Sequence, residues 1–217
     1  MPRGPFSVPA THLPDTLPIF PLSGAVLLPF GRLPLNVFEP RYLNLVADAL
    51  GQHRLLGMVQ PQGTTSGASL FNVGCAGRIV HFEETEDGRF LLALEGVCRF
   101  EILDESTTSG GYRRARVRWG RYLHDLEAST GDAGVDAAAF LESTRAVLAV
   151  QGFGIDDSAL GRMDAGTLVD VFGMQLPLPP ADKQAVLEAT TVADRAGMML
   201  TLLRMRTPGL SARETRH

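Results

Sequence analysis

The chain has 217 residues, of which 45% are hydrophobic and 20% are charged, and this composition excludes a largely disordered protein. Its formal net charge of −4 excludes the broad positive field that nonspecific nucleic-acid binding requires. No apolar run approaches the roughly 18 residues that a membrane span needs, so we expect a cytoplasmic protein without a membrane partner.

Two residue types restrict the chemistry further. The two cysteines, Cys75 and Cys98, cannot form a disulfide framework, and no Cys/His cluster has zinc-ligand spacing. Lys183 is the only lysine, and its surroundings, PPADKQ, lack the glycines of a phosphate-binding P-loop. The sequence therefore predicts a protein that is not an enzyme, with no catalytic residue, no metal site and no cofactor.

Residues 13–120 are predicted to form a β-rich lobe, because short apolar runs such as LPIFPL and GAVLLPF end at Pro or Gly. One helix interrupts the strands. Pro40 stands at its first position and Gly51 ends it. The next apolar run, LLGMVQP, predicts a buried strand. The short, even spacing of these strands is typical of a small barrel or pseudo-barrel.

The pair Asp87-Gly88 is favoured in a two-residue type I′ turn and predicts a hairpin. With that turn, Cys75 faces Phe100, and Cys75, Cys98 and His81 share one inward, apolar face. We therefore expect two buried thiols without a disulfide. His81 is then a hydrogen-bonded core histidine, the alternative being a base or a ligand.

The last strand of the lobe, YRRARVRW, places Arg114, Arg116 and Arg118 on one face. Such a row of charges is one device by which an edge strand repels pairing with another chain. The alternative is that these residues, with Arg113, contact the phosphates of an RNA.

A helical lobe is predicted at residues 133–206, after a polar connector at 121–132. Asp156 and Asp164 are placed to cap helices, and Thr191-x-x-Asp194 resembles a capping box. The inner face of the last helix is predicted to carry Val192, Ala196, Met199, Leu200 and Leu203. A β lobe at 13–120 followed by a helical lobe makes the fold class α+β.

Three blocks of the sequence resemble the amino-terminal, substrate-binding domain of Lon proteases. They are the opening LPIFPLSGAVLLPFGRLPLNVFEPRYLNLV, the hairpin that ends in G-x-x-R-F at Gly96, Arg99 and Phe100, and the tail LPLPPADKQAVLEATTVADRAGMMLTLL. They follow the family's order over roughly residues 17–206. The resemblance implies a PUA-like, six-stranded β pseudo-barrel followed by an α-helical bundle.

The resemblance also implies a function. A full Lon protease continues into an AAA+ ATPase and a Ser-Lys protease domain, which this sequence does not contain, so we expect a stand-alone, non-catalytic domain protein. Its expected partner is unfolded or partly folded polypeptide, with a separate ATP-dependent protease as a further partner if the protein is an adaptor. The alternatives are a PUA-like RNA-binding protein and a small-molecule sensor.

A receptor for unfolded chains needs an exposed apolar patch with aromatic groups. Phe30 stands in the Gly/Pro-rich turn LLPFGRLP, and the F-E-P-R-Y turn follows eight residues later. We therefore predict one polypeptide-binding surface, formed by Pro29, Phe30, Phe38, Arg41 and Tyr42, with Met58 at its floor. The alternative is that these residues pack the core and anchor the helix.

Overall fold

The computed structural model describes residues 12–63, 65, 67–127, 134–150 and 163–206. Its strands are β1 (Thr16–Pro21), β2 (Arg32–Val37), β3 (Leu55–Val59), β4 (Val73–Glu84), β5 (Phe90–Thr107) and β6 (Arg113–Arg118). Its helices are α1 (Pro40–Leu50), a 3₁₀ helix (Gly120–Leu126), α2 (Ala137–Val150), α3 (Ala165–Gln175), α4 (Pro180–Glu188) and α5 (Val192–Arg206). The predicted order of a β lobe and a helical lobe is confirmed.

The six strands form one sheet in the order β2-β5-β4-β3-β1-β6, and β6 also pairs with β5. This extra pairing joins the end of the sheet back to β5, so five strands form a closed ring and β2 is added outside it. The ring can close because β5 is 18 residues long: its first part pairs with β2 and β4, and its last part pairs with β6. Strand β6 is thus paired on both sides, and its interpretation as an edge strand is wrong.

The β4–β5 hairpin exists, but its predicted register is wrong. The turn is longer than two residues, because the Thr85 amide donates to the Arg89 carbonyl and Gly88 has a φ of +79°. Two register shifts follow, between Ala76 and Gly77 and between Ile79 and His81. A three-residue loop with Gly in the left-handed region and a bulged strand are the next common way to close a hairpin.

The changed register moves the side chains that the hairpin was expected to bring together. Cys75 faces Arg99, and Cys98 faces Ala76, so the two cysteines lie on opposite faces of the sheet. Both faces are covered, and both thiols are buried and unbonded to each other, as expected. Burial is the main reason why the pKa of Cys75 is raised well above its usual value and that of Cys98 is raised to about 12, which makes them poor nucleophiles.

Helix α1 and strand β3 form as their sequences predict. Pro40 is at the first helical position, Gly51 ends α1, and every residue of β3 is buried. In the helical lobe, the Asp164 side chain accepts a hydrogen bond from the Thr167 amide. Thr191 and Asp194 exchange side-chain to main-chain hydrogen bonds as a capping box does. The predicted cap at Asp156 lies outside the described residues.

Arg99 joins the two lobes. Its guanidinium is fully buried and makes two bonds of 2.8 Å to the carboxylate of Asp125. Its other N–H groups donate to the carbonyls of Leu187, Ala189 and Thr190, which lie at the end of α4 and in the connection to α5. A side chain of β5 therefore satisfies main-chain acceptors that the end of a helix leaves open.

A second buried link holds α4 against the barrel. The Gln60 side chain accepts from the Gly24 amide and donates to the Pro180 carbonyl and the Gln184 side chain. Gln184 in turn donates to the Val73 carbonyl. Loop, barrel and helical lobe thus share one hydrogen-bond network.

Candidate functional site

A groove of about 820 Å³ opens on one side of the β lobe. Four segments line it: the end of β1 with the residues after it, the F-E-P-R-Y turn into α1, the loop that precedes β4, and the β5–β6 hairpin. Its apolar lining includes Phe20, Leu22, Val37, Phe38 and Leu70. Phe38 is the most open of these, with 64% of its surface exposed.

Three side chains are stacked in the groove wall. The rings of Phe20 and Tyr42 are 4.4 Å apart and nearly parallel. The guanidinium carbon of Arg41 lies 4.6 Å from the centre of the Tyr42 ring. The Tyr42 ring therefore contacts both Phe20 and Arg41, and the Arg41 guanidinium and the Phe38 ring line the groove beside it.

Glu39 fixes the orientation of Arg41. Both Nε and Nη2 of Arg41 donate to Oε2 of Glu39, at 3.0 and 2.7 Å. This hydrogen bond is the main reason why the pKa of Arg41 is raised, so the guanidinium is a permanent cation. The pKa of Tyr42 is also raised, chiefly because the phenol is partly buried, so its hydroxyl is neutral and cannot act as a base near pH 7.

The β5–β6 hairpin, which also lines the groove, is held against α1. The Tyr112 hydroxyl donates to the carboxylate of Asp48, and the Asn44 side chain donates to the Gly110 carbonyl at 3.1 Å. Gly111 has a φ of +80° and would place a Cβ 3.5 Å from that of Arg41. The groove is therefore formed in the free protein, because each wall has its own hydrogen bonds.

A family model described as the ATP-dependent protease La (LON) substrate-binding domain matches residues 16–205. The chain belongs to this family. Lon protease 2 of Sorangium cellulosum (strain So ce56) is 30% identical over 203 residues, which are 87% of this chain and 24% of that protein. Lon protease 2 of Myxococcus xanthus is 27% identical over 203 residues, 88% of this chain and 24% of that protein. The Lon-type chain thus spans about a quarter of the length of the curated relatives it matches.

Two solved structures share the fold. A Lon N-terminal domain protein from Xanthomonas campestris superimposes with a TM-score of 0.62 at 24% identity, covering 86% of this chain and 97% of that one. The N-terminal domain of the Mycobacterium avium complex Lon protease gives a TM-score of 0.61 at 17% identity, covering 87% and 98%. The Lon-type fold that the sequence resemblance implied is confirmed.

The Lon-type fold does not bring the six predicted site residues together. Phe38, Arg41 and Tyr42 line the groove, whereas Pro29 and Met58 are buried and present no surface. Phe30 is 48% exposed but lies beyond the other end of β2. The six residues of β2, at about 3.3 Å each, place it about 20 Å from the groove. The six residues therefore do not form one continuous surface, and their role in polypeptide binding stays a prediction.

Phe30 has an unusual backbone. Its φ is +60°, a region that residues other than Gly, Asn and Asp seldom occupy. Its amide donates to the Gly96 carbonyl and the Gly96 amide donates to the Gly31 carbonyl, so the loop is bound to β5 on both sides of Phe30. The aromatic ring is held outside the core by the backbone.

The candidates for other chemistry have ordinary structural roles. His81 is exposed, with a 63% exposed side chain, so its placement in the core is wrong; the shift between Ile79 and His81 turned it outward. Three of the four arginines of β6 pair with acids of β5, namely Arg113 with Glu105, Arg116 with Asp104 and Arg118 with Glu101, and Arg114 donates to the Tyr112 hydroxyl. Such pairing removes most of the positive field that an RNA needs.

The described residues also bear on metal binding and on membrane insertion. No group of three or more His, Cys, Asp or Glu side chains is close enough there to hold a metal ion. Among the same residues, no helix combines the length and the apolar character needed to cross a bilayer.

Proposed function

We propose that this Lon-type domain is a non-catalytic binding module for unfolded or partly folded polypeptide, and that the groove is its binding site. The observation that carries the proposal is the exposed Phe38 ring beside the fixed Arg41 guanidinium in a preformed groove with an apolar lining. Its volume of about 820 Å³ falls in the range of natural ligand sites, roughly 300–1,000 Å³.

The groove suits this ligand better than the free edge of the sheet does. Among the strands of the described residues, β2 pairs with β5 alone, so its other edge carries no further strand. That edge carries Pro34, which has no N–H group, and Arg32, both of which oppose pairing with a further strand. A polypeptide is therefore bound through groove contacts and not by addition to β2.

The test is the binding of reduced, carboxymethylated α-lactalbumin, a permanently unfolded protein, measured by fluorescence anisotropy. We expect Phe38→Ala to weaken binding about five-fold or more, as for an exposed aromatic anchor, and to leave thermal stability nearly unchanged. The matched control is Met205→Ala, which removes a 79% exposed apolar side chain that does not line the groove. Equal affinity of Phe38→Ala and the wild type would refute the groove as the site.

The variant Phe30→Ala, measured in the same assay, tests whether a second surface contributes to binding of the unfolded protein. Weaker binding without loss of thermal stability would assign Phe30 a contact with a long client that spans both ends of β2. An unchanged dissociation constant would assign Phe30 no part in recognition.

Salt separates this proposal from RNA binding. Apolar capture of polypeptide should be nearly independent of salt, whereas an RNA complex weakens steeply as the salt concentration rises. The ion pairs of the β6 arginines favour polypeptide over RNA as the ligand, because they neutralise the positive charge that an RNA would bind. A higher affinity for single-stranded RNA than for the unfolded protein at low salt would favour the alternative.

An adaptor role follows as a further part of the proposal, because the matched relatives are named as proteases. A client held in the groove would be passed to a separate ATP-dependent protease. The test adds the purified chain to Lon protease of the same organism with labelled client. An adaptor raises the degradation rate, and Phe38→Ala removes the increase, while the chain alone degrades nothing.

A further inference from the structure

Glu39 occupies the N-cap of α1 but does not act as a cap. Its side chain makes no capping hydrogen bond to the first turn of the helix. The side chains that commonly cap a helix by accepting from an amide two or three residues later are the shorter Ser, Thr, Asp and Asn, so the Glu39 carboxylate is free for another partner. Here the carboxylate turns toward the groove and pairs with Arg41.

The geometry of that pair leaves two groups available. Both bonds from Arg41 end on Oε2 of Glu39, and in the described part of the chain no hydrogen bond reaches Oε1 of Glu39 or Nη1 of Arg41. The two side chains are 44% and 42% exposed. Stacking on Tyr42 holds the guanidinium plane, so the free donor and the free acceptor keep a fixed relation.

A fixed donor beside a fixed acceptor complements a peptide main chain. An extended residue offers one N–H and one C=O, which match the carboxylate oxygen and the guanidinium N–H groups. We propose that Glu39 and Arg41 bind the main chain of an extended polypeptide, Oε1 of Glu39 accepting from its N–H and Nη1 of Arg41 donating to its carbonyl. This inference rests on the groove being the polypeptide site.

Main-chain recognition explains how one groove serves clients of different sequence. Every non-proline residue presents the same two groups, so Glu39 and Arg41 recognise extended main chain and not a particular side chain. A folded client hides these groups in its own helices and sheets. The pair therefore distinguishes unfolded from folded chains, while Phe38 contributes an apolar contact to a neighbouring side chain.

The test is a methylation scan followed by NMR titration of the protein. An 11-residue peptide with a central Leu between Ser, Thr and Gly residues is compared with versions that carry one N-methyl group at each successive position. Losing a hydrogen bond to a charged group weakens binding about ten-fold. We expect a loss of that size at one or more positions, with chemical-shift changes at the groove residues.

Two variants separate the hydrogen bond from steric effects. In Glu39→Gln, the amide oxygen takes the bonds from Arg41 and the amide nitrogen replaces the free acceptor, so N-methylation should cost less than two-fold. Glu95→Gln is the matched control, because Glu95 is an exposed glutamate that pairs with Arg32 outside the groove. In this variant N-methylation of the peptide should still weaken binding about ten-fold.

Two results would overturn the inference while leaving the proposed function standing. One is that every methylated peptide binds within two-fold of its parent, although the groove resonances shift. The other is that the loss persists in Glu39→Gln, which would make it steric. A parent peptide that shifts no groove resonance would overturn both the inference and the groove as the site.

Discussion

Replacing Arg99 by methionine should remove most of the stability of the protein. The change leaves the Asp125 carboxylate buried without its cation, which costs about 3–5 kcal/mol in such pairs. It also leaves the carbonyls of Leu187 and Ala189 without the Arg99 donor, at about 1 kcal/mol each, whereas the Thr190 carbonyl keeps the His124 ring at 3.1 Å. The expected loss in the free energy of unfolding is therefore about 5–7 kcal/mol, against a total of about 5–15 kcal/mol for typical domains.

Urea unfolding followed by two signals measures this loss. Trp119, the only tryptophan, packs edge-on against Phe100 and reports on the barrel, whereas circular dichroism reports mainly on the helices. Because the lost acceptors belong to the α4–α5 connection, the helical signal should change at lower urea than the fluorescence. In the wild type the two transitions should coincide.

Two further variants keep the reasoning testable if Arg99→Met does not fold. Arg99→Lys keeps a cation beside Asp125 but offers three donors in place of five, so we expect a loss of about 2–4 kcal/mol. Arg99→Met combined with Asp125→Leu removes both charges and should be more stable than Arg99→Met alone. A loss below about 1 kcal/mol in Arg99→Lys, or a double variant less stable than the single one, would refute the account.

Four other substitutions test separate parts of the structure by urea unfolding. Gly96→Ala would place a Cβ 1.9 Å from the Leu28 carbonyl oxygen and should be strongly destabilising, whereas Gly197→Ala, where a helical Cβ meets no atom within 4 Å, should raise the free energy of unfolding by about 0.5–1 kcal/mol. Phe30→Gly relieves a left-handed φ and should leave stability unchanged or raise it by up to about 1 kcal/mol; a marked loss would show that the ring packs. Burial raises the pKa of Asp170 to about 6, so the folded protein keeps a proton that the unfolded chain releases near pH 4. The free energy of unfolding should therefore contain a contribution that is complete below about pH 4 and is lost as the pH rises through about 6. Asp170→Asn should remove this part of the pH dependence, and an unchanged slope would contradict it.

Local signals predicted the elements that depend on neighbouring residues alone. Pro40 and Gly51 fixed the bounds of α1, and the capping box of Thr191 and Asp194 marked the start of α5. These signals succeed because the donors and acceptors that they satisfy lie within one turn of the chain.

The register of the β4–β5 hairpin was predicted wrongly because it depends on more than neighbouring residues. Asp87-Gly88 is compatible with both a two-residue and a three-residue loop, and the two differ in register. The bulges that follow are dictated by the fit of β5 against β2, β4 and β6 together, which no pattern in one strand reveals. His81 and the faces of the cysteines were therefore misplaced, although the burial of both thiols was predicted.

Half of the candidate site was visible in the sequence. Phe38, Arg41 and Tyr42 stand in one motif and were predicted together. Phe20 and the β5–β6 hairpin come from distant segments and carry no local mark of a site. Arg99 stands in the G-x-x-R-F motif between Cys98 and Phe100, both apolar and buried, and these neighbours are the sequence signal for its burial.

The closure of the ring through β5 has a consequence for the order in which the chain can fold. Strand β1, near the start of the chain, pairs with β6, whose residues lie about a hundred positions later, as Thr16 does with Arg116. During synthesis the ring that contains β1 and β3 cannot close until β6 has been made. Arg99 likewise cannot form its hydrogen bonds to the helical lobe until the carbonyls near residue 190 have been made. Such distant pairings make folding slow and leave strands open meanwhile. We therefore expect the nascent chain to expose unpaired strands until β6 and the connection between α4 and α5 have been synthesised.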